Sequence, residues 1–375
     1  MLLTETQTMI RDSVRRLVAE RITPEARRWE AAGAYPEGLW TELAELGLMG
    51  MTVPEELGGA GADYVSYALA LIELAVGDGG LSTVVSVHNA PVLAALMKDG
   101  TEAQKQRFMP GLCAGKGIGA FALTEAEAGS DASALRTRAT RVDGGWRLDG
   151  GKQFITSGRI GALAIVFAVT DPAAGKKGMS AFLVPTDRPG YLVERSEDKL
   201  GQRASDTCAL RFENLFLEDD LLLGREGEGY RIALANLEVG RIGIGAQAVG
   251  MADAALGIAI AYAKERRSFG KTIMEHQAVG FRLADLAARL EAARQLVLHA
   301  AAMKDAGLPC LREASMAKLV ASETAELVCS GALQTLGGYG YLEDYGIAKI
   351  ARDVRVCQIY EGTSDIQRMV IARAL

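Results

Sequence analysis

The chain has 375 residues, 49% of them apolar and 23% charged, with a formal net charge of −6. That length and balance describe two or three packed units with a large buried core, and they exclude a disordered or fibrous chain. The acidic surplus argues against a nucleic-acid binder, which would carry a basic face.

The first residues carry acidic side chains early and lack an apolar run of signal-peptide length, so no targeting segment is expected and the location expected is cytoplasmic. Thr4 and Gln7 fit a capping box, and Ile10, Val14, Leu17 and Val18 then mark one helical face. Further helical patterns run through Gly38–Leu46, Tyr64–Ala75, Val84–Met97 and Glu102–Leu112, which makes residues 1–115 a helical domain. The texture then changes. Over residues 116–226 short alternating runs are separated by turn residues. Asp143-Gly144-Gly145 joins Arg136–Val142 to Trp146–Leu148 as a hairpin would, and Leu163–Val169, Met179–Val184 and Thr207–Phe212 read as further strands.

Over residues 227–375 the pattern returns to long helices: Tyr230–Arg266, Gln277–Ala306, Leu311–Gly337 and Ser364–Leu375. Helices of that length bury their apolar sides against one another, so a bundle is expected. The stretch Ile242–Ala263 is long and apolar, but Gln247, Asp253 and four glycines interrupt it and no aromatic belt flanks it. It reads as a buried core helix and not a membrane span. The five cysteines (Cys113, Cys208, Cys310, Cys329 and Cys357) are scattered without a C-x-x-C pair, and His88, His276 and His299 stand far apart. Reduced thiols and no metal site are expected.

Several segments carry residue types suited to chemistry. In Tyr360-Glu361-Gly362-Thr363-Ser364-Asp365 a carboxylate precedes a glycine and a hydroxyl-rich helix start. The glycine permits a tight turn, and Ile359, Tyr360 and Ile366 can desolvate the carboxylate and raise its pKa toward that of a useful base. A surface Glu favoured by the helix dipole would read the same way. Phe121–Asp131 leads a strand into a small-residue loop where Thr124 or Ser130 could bond a ring edge or a phosphate. It has no lysine of the phosphate-loop type. Phe154-Ile155-Thr156-Ser157-Gly158 sets an aromatic and two hydroxyls at a strand end, suited to a planar ligand or to plain core packing. Glu265–Lys271 clusters cations around Phe269, which suits a pyrophosphate or simply a helix C-terminus. Gln334–Tyr341 closes a helix with glycines; no strand precedes it, so a dinucleotide fold fails there.

Read together and in order, LTEAEAGSD, FITSG, ERRSFGK, LQTLGGYGY and IYEGTSDIQR resemble the acyl-CoA dehydrogenase family, from the first helix to the C-terminus. The resemblance implies a helical N-terminal domain, a β-barrel-like middle domain and a C-terminal four-helix bundle, with FAD between the last two. It implies that Phe121, Leu123, Thr124, Gly129 and Ser130 line the flavin ring and that Phe154, Ile155 and Thr156 cover its other side. Arg266, Phe269, Gln277, Gln334, Gly337 and Gly338 serve the cofactor too, Arg266, Phe269 and Gln334–Gly338 by reaching the FAD of a neighbouring subunit in a homotetramer built as a dimer of dimers. Thr363 and Asp365 touch the cofactor beside the base. Ser130, Glu238, Arg241, Tyr360 and Gly362 fall where the family holds the CoA thioester, and Glu361 matches the catalytic glutamate.

Some relatives place their base just before the arginine of the long helix. Here that position is Gly240, so the alternative site is empty. Leu200–Asn214 and Glu238–Gly250 look like the short-chain and short-branched-chain members. The implied reaction removes the α-proton with Glu361, passes the β-hydride to flavin N5 and leaves a trans-2-enoyl-CoA. Electrons then go to an electron-transferring flavoprotein. The competing readings are a flavin oxidase on the same fold, whose nitroalkane-oxidising members use an Asp base, and a non-catalytic CoA-binding protein.

Overall fold

The computed structural model describes residues 1–375. Helix α1 (Glu5–Leu17) starts as its sequence dictates: Thr4 Oγ accepts from the Gln7 N–H at 3.2 Å while Gln7 Oε1 accepts from the Thr4 N–H at 3.0 Å. Short helices α2 (Ala26–Ala32) and α3 (Leu39–Glu45) follow. Helix α4 (Tyr64–Gly77) is capped by Asp63 and buried at every position from Val65 to Ala75. An apolar helix with no polar face belongs at the centre of a helical layer, and α4 lies there, against α1 and the long C-terminal helix.

The expected helix Val84–Met97 is interrupted. Helix α5 (Gly79–Val87) ends before a distorted turn in which Ala90 leaves the helical region (φ −145°, ψ 114°), and α6 (Ala94–Asp99) resumes after it. Pro91 is the cause. It lacks an N–H, and its ring pushes the preceding residue out of the α conformation. Helix α7 (Glu102–Cys113) closes the N-terminal set.

The strands are β1 (Gly119–Ala122), β2 (Arg138–Val142), β3 (Gly145–Thr156), β4 (Leu163–Val169), β5 (Met179–Pro185), β6 (Tyr191–Ser196), β7 (Thr207–Glu218) and β8 (Leu222–Leu223). They form one sheet in the order β6-β7-β3-β2-β4-β5-β8, with β1 parallel to β4. The Asp143–Gly145 turn joins β2 to β3, with Val142 paired to Gly145. Strand β3 runs on past the expected Leu148 to Thr156, carrying bulges opposite β7. Bulges re-aim side chains, and this one delivers Phe154 and Thr156 to the edge of a cleft.

Helix α8 (Gly229–Glu265) is followed by a tight hairpin of β9 (Arg267–Ser268) and β10 (Lys271–Thr272), then α9 (Gln277–Asp305), α10 (Leu311–Leu336), α11 (Ile347–Val354) and α12 (Ser364–Arg373). The apolar stretch of α8 is covered by α4, α9 and α10. One apolar core runs through both helical parts, from Val14 and Leu71 to Ile244, Val297 and Val328. A second core, around Val166, Phe182 and Leu215, fills the sheet.

Candidate active site

The turn between α11 and α12 holds Glu361 in a conformation that sequence favours only for glycine: φ is 54° at Glu361 and 90° at Gly362. A non-glycine residue in that region costs on the order of 1–3 kcal/mol and persists where the surroundings impose it. Two fully buried side chains impose it here. Lys318, from α10, donates its Nζ to the Gly362 carbonyl at 2.7 Å. Gln367, from α12, donates Nε2 to the carbonyls of Glu361 (3.1 Å) and Gly362 (2.9 Å). Thr363 caps α12 by accepting from the Ile366 N–H at 3.3 Å. The Glu361 N–H donates to no backbone group.

One oxygen of the carboxylate is closed off. Glu361 Oε2 is shut off from solvent with no hydrogen-bond partner. A Cβ placed on Gly240 of α8 would lie 2.5 Å from that oxygen. Gly240 is therefore the space into which the Glu361 carboxylate fits. Burial pushes the carboxyl up to about 7, with Arg241 and Lys318 pulling it back. Burial likewise brings the Lys318 ammonium down to about 8. Arg241 is 5% exposed and its Nε is unpaired, its single bond running from Nη1 to Ser315 Oγ at 3.3 Å. A buried carboxyl of raised pKa beside two buried cations, facing a cleft, is the arrangement of a general base.

The cleft encloses about 630 Å³ and is lined on the sheet side by Thr124, Gly129, Ser130, Phe154 and Thr156, and on the helical side by Thr83, Tyr360, Glu361, Gly362 and Thr363. Lys152, 2% exposed, ties the loop to the sheet through the Leu123 carbonyl (3.1 Å) and Glu125 (2.7 Å). Phe154 is 63% exposed and, like Gln202 of the same lining, sits at positive φ. Strained backbone gathered at one cavity marks a functional site. Around it Ser157 Oγ, Glu361 Oε2 and Ser364 Oγ are buried without protein partners. An exposed aromatic face, two threonine hydroxyls and partnerless buried polar atoms fit a flat group with polar edges, as the ring of a flavin has.

Beneath the cleft a buried polar chain supports Tyr360. Its hydroxyl donates to Gln247 Oε1, Gln247 in turn donates to Thr83, and Thr83 donates to Gln202 Oε1 at 2.7 Å. Gln202 N donates to Asp353, which pairs with Lys349, and Lys349 also meets Asp78 at 2.8 Å. Charges this deep stay because each is paired and hydrogen-bonded. Sequence reading missed Lys318, Gln367, Gln202, Thr83, Gln247 and Lys152. A lone Lys or Gln within a helix is the signal that Lys318, Gln247 and Gln367 offered, while Thr83, Lys152 and Gln202 offered none.

Other expected site residues lie elsewhere in the chain. Phe121 packs edge-on against Phe167 at 4.9 Å, Leu123 is half-buried against the sheet core, and Ile155 is inside it. Glu238 is engaged with Lys304 at 2.8 Å, and Asp365 is exposed beside Arg368. Arg266, Gly337 and Gly338 line a separate cavity of about 480 Å³ with Tyr262 and Tyr339, the Arg266 guanidinium resting 5.9 Å from the Tyr339 ring. Gln277 and Gln334 are exposed near it, and Phe269 is 94% exposed at the tip of the β9–β10 hairpin.

Comparison with known proteins fits this layout. The acyl-CoA dehydrogenase N-terminal, middle and C-terminal domain models match residues 4–116, 120–215 and 227–375. The chain is 44% identical to the mitochondrial short-chain specific acyl-CoA dehydrogenase of Bos taurus, over 99% of this chain and 90% of that one. It superposes on butyryl-CoA dehydrogenase from Megasphaera elsdenii with a TM-score of 0.98 at 40% identity, covering 100% and 99% of the two chains. A chain in the structure of the electron transferring flavoprotein of Acidaminococcus fermentans is similar to the same degree, with a TM-score of 0.98, 41% identity and coverage of 100% and 98%. With its helical, sheet and helical parts matched in order along its length, the chain belongs to the acyl-CoA dehydrogenase family.

Proposed function

We propose that this chain dehydrogenates short acyl-CoA thioesters between their α and β carbons, with FAD as cofactor and Glu361 as the base that removes the α-proton. The observation that carries the reading is the Glu361 carboxylate, which faces a cleft with one oxygen shut off from solvent and without a hydrogen-bond partner, and whose carboxyl is pushed up to about 7. Water is a poor setting for this proton transfer, because a solvated carboxylate is too weak a base for a thioester α-proton. Burial raises its proton affinity, so the ionised form that remains near neutral pH is a stronger base than a solvated carboxylate. The free Glu361 N–H supplies a donor for the thioester oxygen as charge develops on it. Lys318 and Gln367 hold the turn, so both groups are aimed before substrate arrives. Thr124, Ser130, Phe154, Thr156 and Thr363 are the residues placed to hold the flavin ring. Bound FAD would supply the acceptor for the β-hydride.

The short-chain assignment draws on the likeness to the bovine short-chain enzyme and to butyryl-CoA dehydrogenase. An electron-transferring flavoprotein as acceptor is supported by the likeness to the Acidaminococcus chain. The exposed Arg266–Tyr339 cavity supports an oligomer, a homotetramer by family resemblance, in which a neighbouring copy completes that region. Purified protein should be yellow and should bleach anaerobically on addition of butanoyl-CoA. Protein that stays colourless and inactive after incubation with FAD would remove the reading.

A further inference from the structure

Thr83 is where α5 lines the cleft, and Ser86, 1% exposed, stands one turn along the same helical face. On α8 the same step leads from Gly240 to Gly243. A Cβ on Gly240 would meet the Glu361 carboxylate at 2.5 Å, whereas a Cβ on Gly243 would meet Ser86 Oγ at 2.5 Å and Tyr67 Oη at 2.9 Å. One turn apart on α8, the two glycines thus make room for the Glu361 carboxylate and for the Tyr67–Ser86 pair.

We infer that Tyr67, braced by Ser86 over Gly243, is the floor of the acyl channel and restricts this enzyme to chains of about four carbons, one helical turn (about 5 Å) separating floor from base. The inference deepens the proposed function and rests on it. With the α-carbon at Glu361, each further methylene advances the chain by roughly 1.3 Å, given carbon–carbon bonds near 1.5 Å. A butanoyl chain ends before the ring, while an octanoyl chain requires the ring to leave. Tyr67 has nowhere to go. It is 1% exposed, its Oη lies 3.3 Å from Ser86 Oγ, and Leu71 closes the same spot 3.3 Å from the Gly243 Cβ position. Close-packed interiors do not absorb added volume.

The test uses FAD-loaded wild-type enzyme with Tyr67→Phe, Tyr67→Leu and Tyr67→Ala, comparing kcat/KM for butanoyl-, hexanoyl- and octanoyl-CoA. Tyr67→Ala should raise the octanoyl-to-butanoyl ratio at least tenfold, within the roughly 10–200-fold that a methylene of pocket space commands. Tyr67→Leu, which keeps an apolar core should the alanine variant lose its flavin, should move the ratio the same way. Tyr67→Phe keeps the ring and should leave it within about twofold, since the restriction is one of volume. A wild-type enzyme equally fast on octanoyl-CoA, or an unchanged ratio in the Leu and Ala variants, overturns the floor while leaving the dehydrogenase intact. A wild-type enzyme that turns over none of the thioesters overturns both.

Discussion

The Glu361 cleft and the Arg266–Tyr339 cavity are built on opposite principles, although both are lined by glycines, aromatics and cations. At the cleft, strained backbone is locked by buried lysine and glutamine, and one carboxylate oxygen is shut off from solvent. At the second cavity the glycines are exposed, Phe269 projects at 94% exposure and Tyr341 at 90%, and the arginine rests on a tyrosine ring with no carboxylate partner. A base must be desolvated and aimed, which one chain can do for itself. An exposed aromatic and cationic surface gains its worth only when something covers it. The first region is enclosed within the chain, and the second is the surface that the proposed oligomer would cover.

Glu361→Gln should break the first region alone, and with the largest effect. Loss of a general base costs on the order of 10²–10⁴-fold, and Gly240 offers no substitute. Acyl-CoA binding should survive while flavin bleaching in a stopped-flow instrument falls by that factor. The same variant carries a stability signature. The Glu361 carboxyl sits at about 7 in the fold against 4.5 outside it, so the folded state binds the proton more tightly. Wild-type stability is therefore lost as pH rises from 4.5 through 7. Glu361→Gln should raise the melting temperature at pH 8 and leave it nearly unchanged at pH 4.

Arg266→Ala should sharpen the contrast from the other side. It should weaken FAD retention by roughly tenfold or more, as the loss of a charge-assisted phosphate contact does, while the pH profile of bleaching in the FAD-loaded protein stays unchanged. A shifted profile would mean that the two regions are coupled within one chain. Lys318→Met is the mildest. It removes a cation that holds the Glu361 carboxyl down, so the apparent pKa for bleaching should rise by about half a unit to one unit. No shift would leave Lys318 holding the turn without tuning the base.

Much of this was legible in the sequence because motif wording survives distance. The Thr124–Ser130 loop, Phe154 and Glu361 stand apart in the chain, yet each lies in a segment whose residue types suit a ligand. Helix starts were legible where capping is local, as at Thr4. The helix break at Pro91 was overridden by the apolar pattern around it, although proline chemistry announces it. Strand β6 escaped because Glu194 and Arg195 face solvent and blur its alternation. Lys318 and Gln367 escaped because long polar side chains in a helix read as solvated unless the fold buries them. Gly240 and Gly243 were visible as residues that weaken a helix, but only the packing reveals that one makes room for a carboxylate and the other for a tyrosine.

On the proposed mechanism, burial in a turn held by Lys318 and Gln367 makes Glu361 a base near neutral pH. The rate of anaerobic flavin bleaching by butanoyl-CoA, extrapolated to low substrate across pH 5 to 9, tests it most directly. The rate should rise with pH through a midpoint near 7, as the Glu361 carboxyl loses its proton. A rate that is flat across that range, or one whose midpoint lies near the 4.5 of a solvated glutamate, would contradict it.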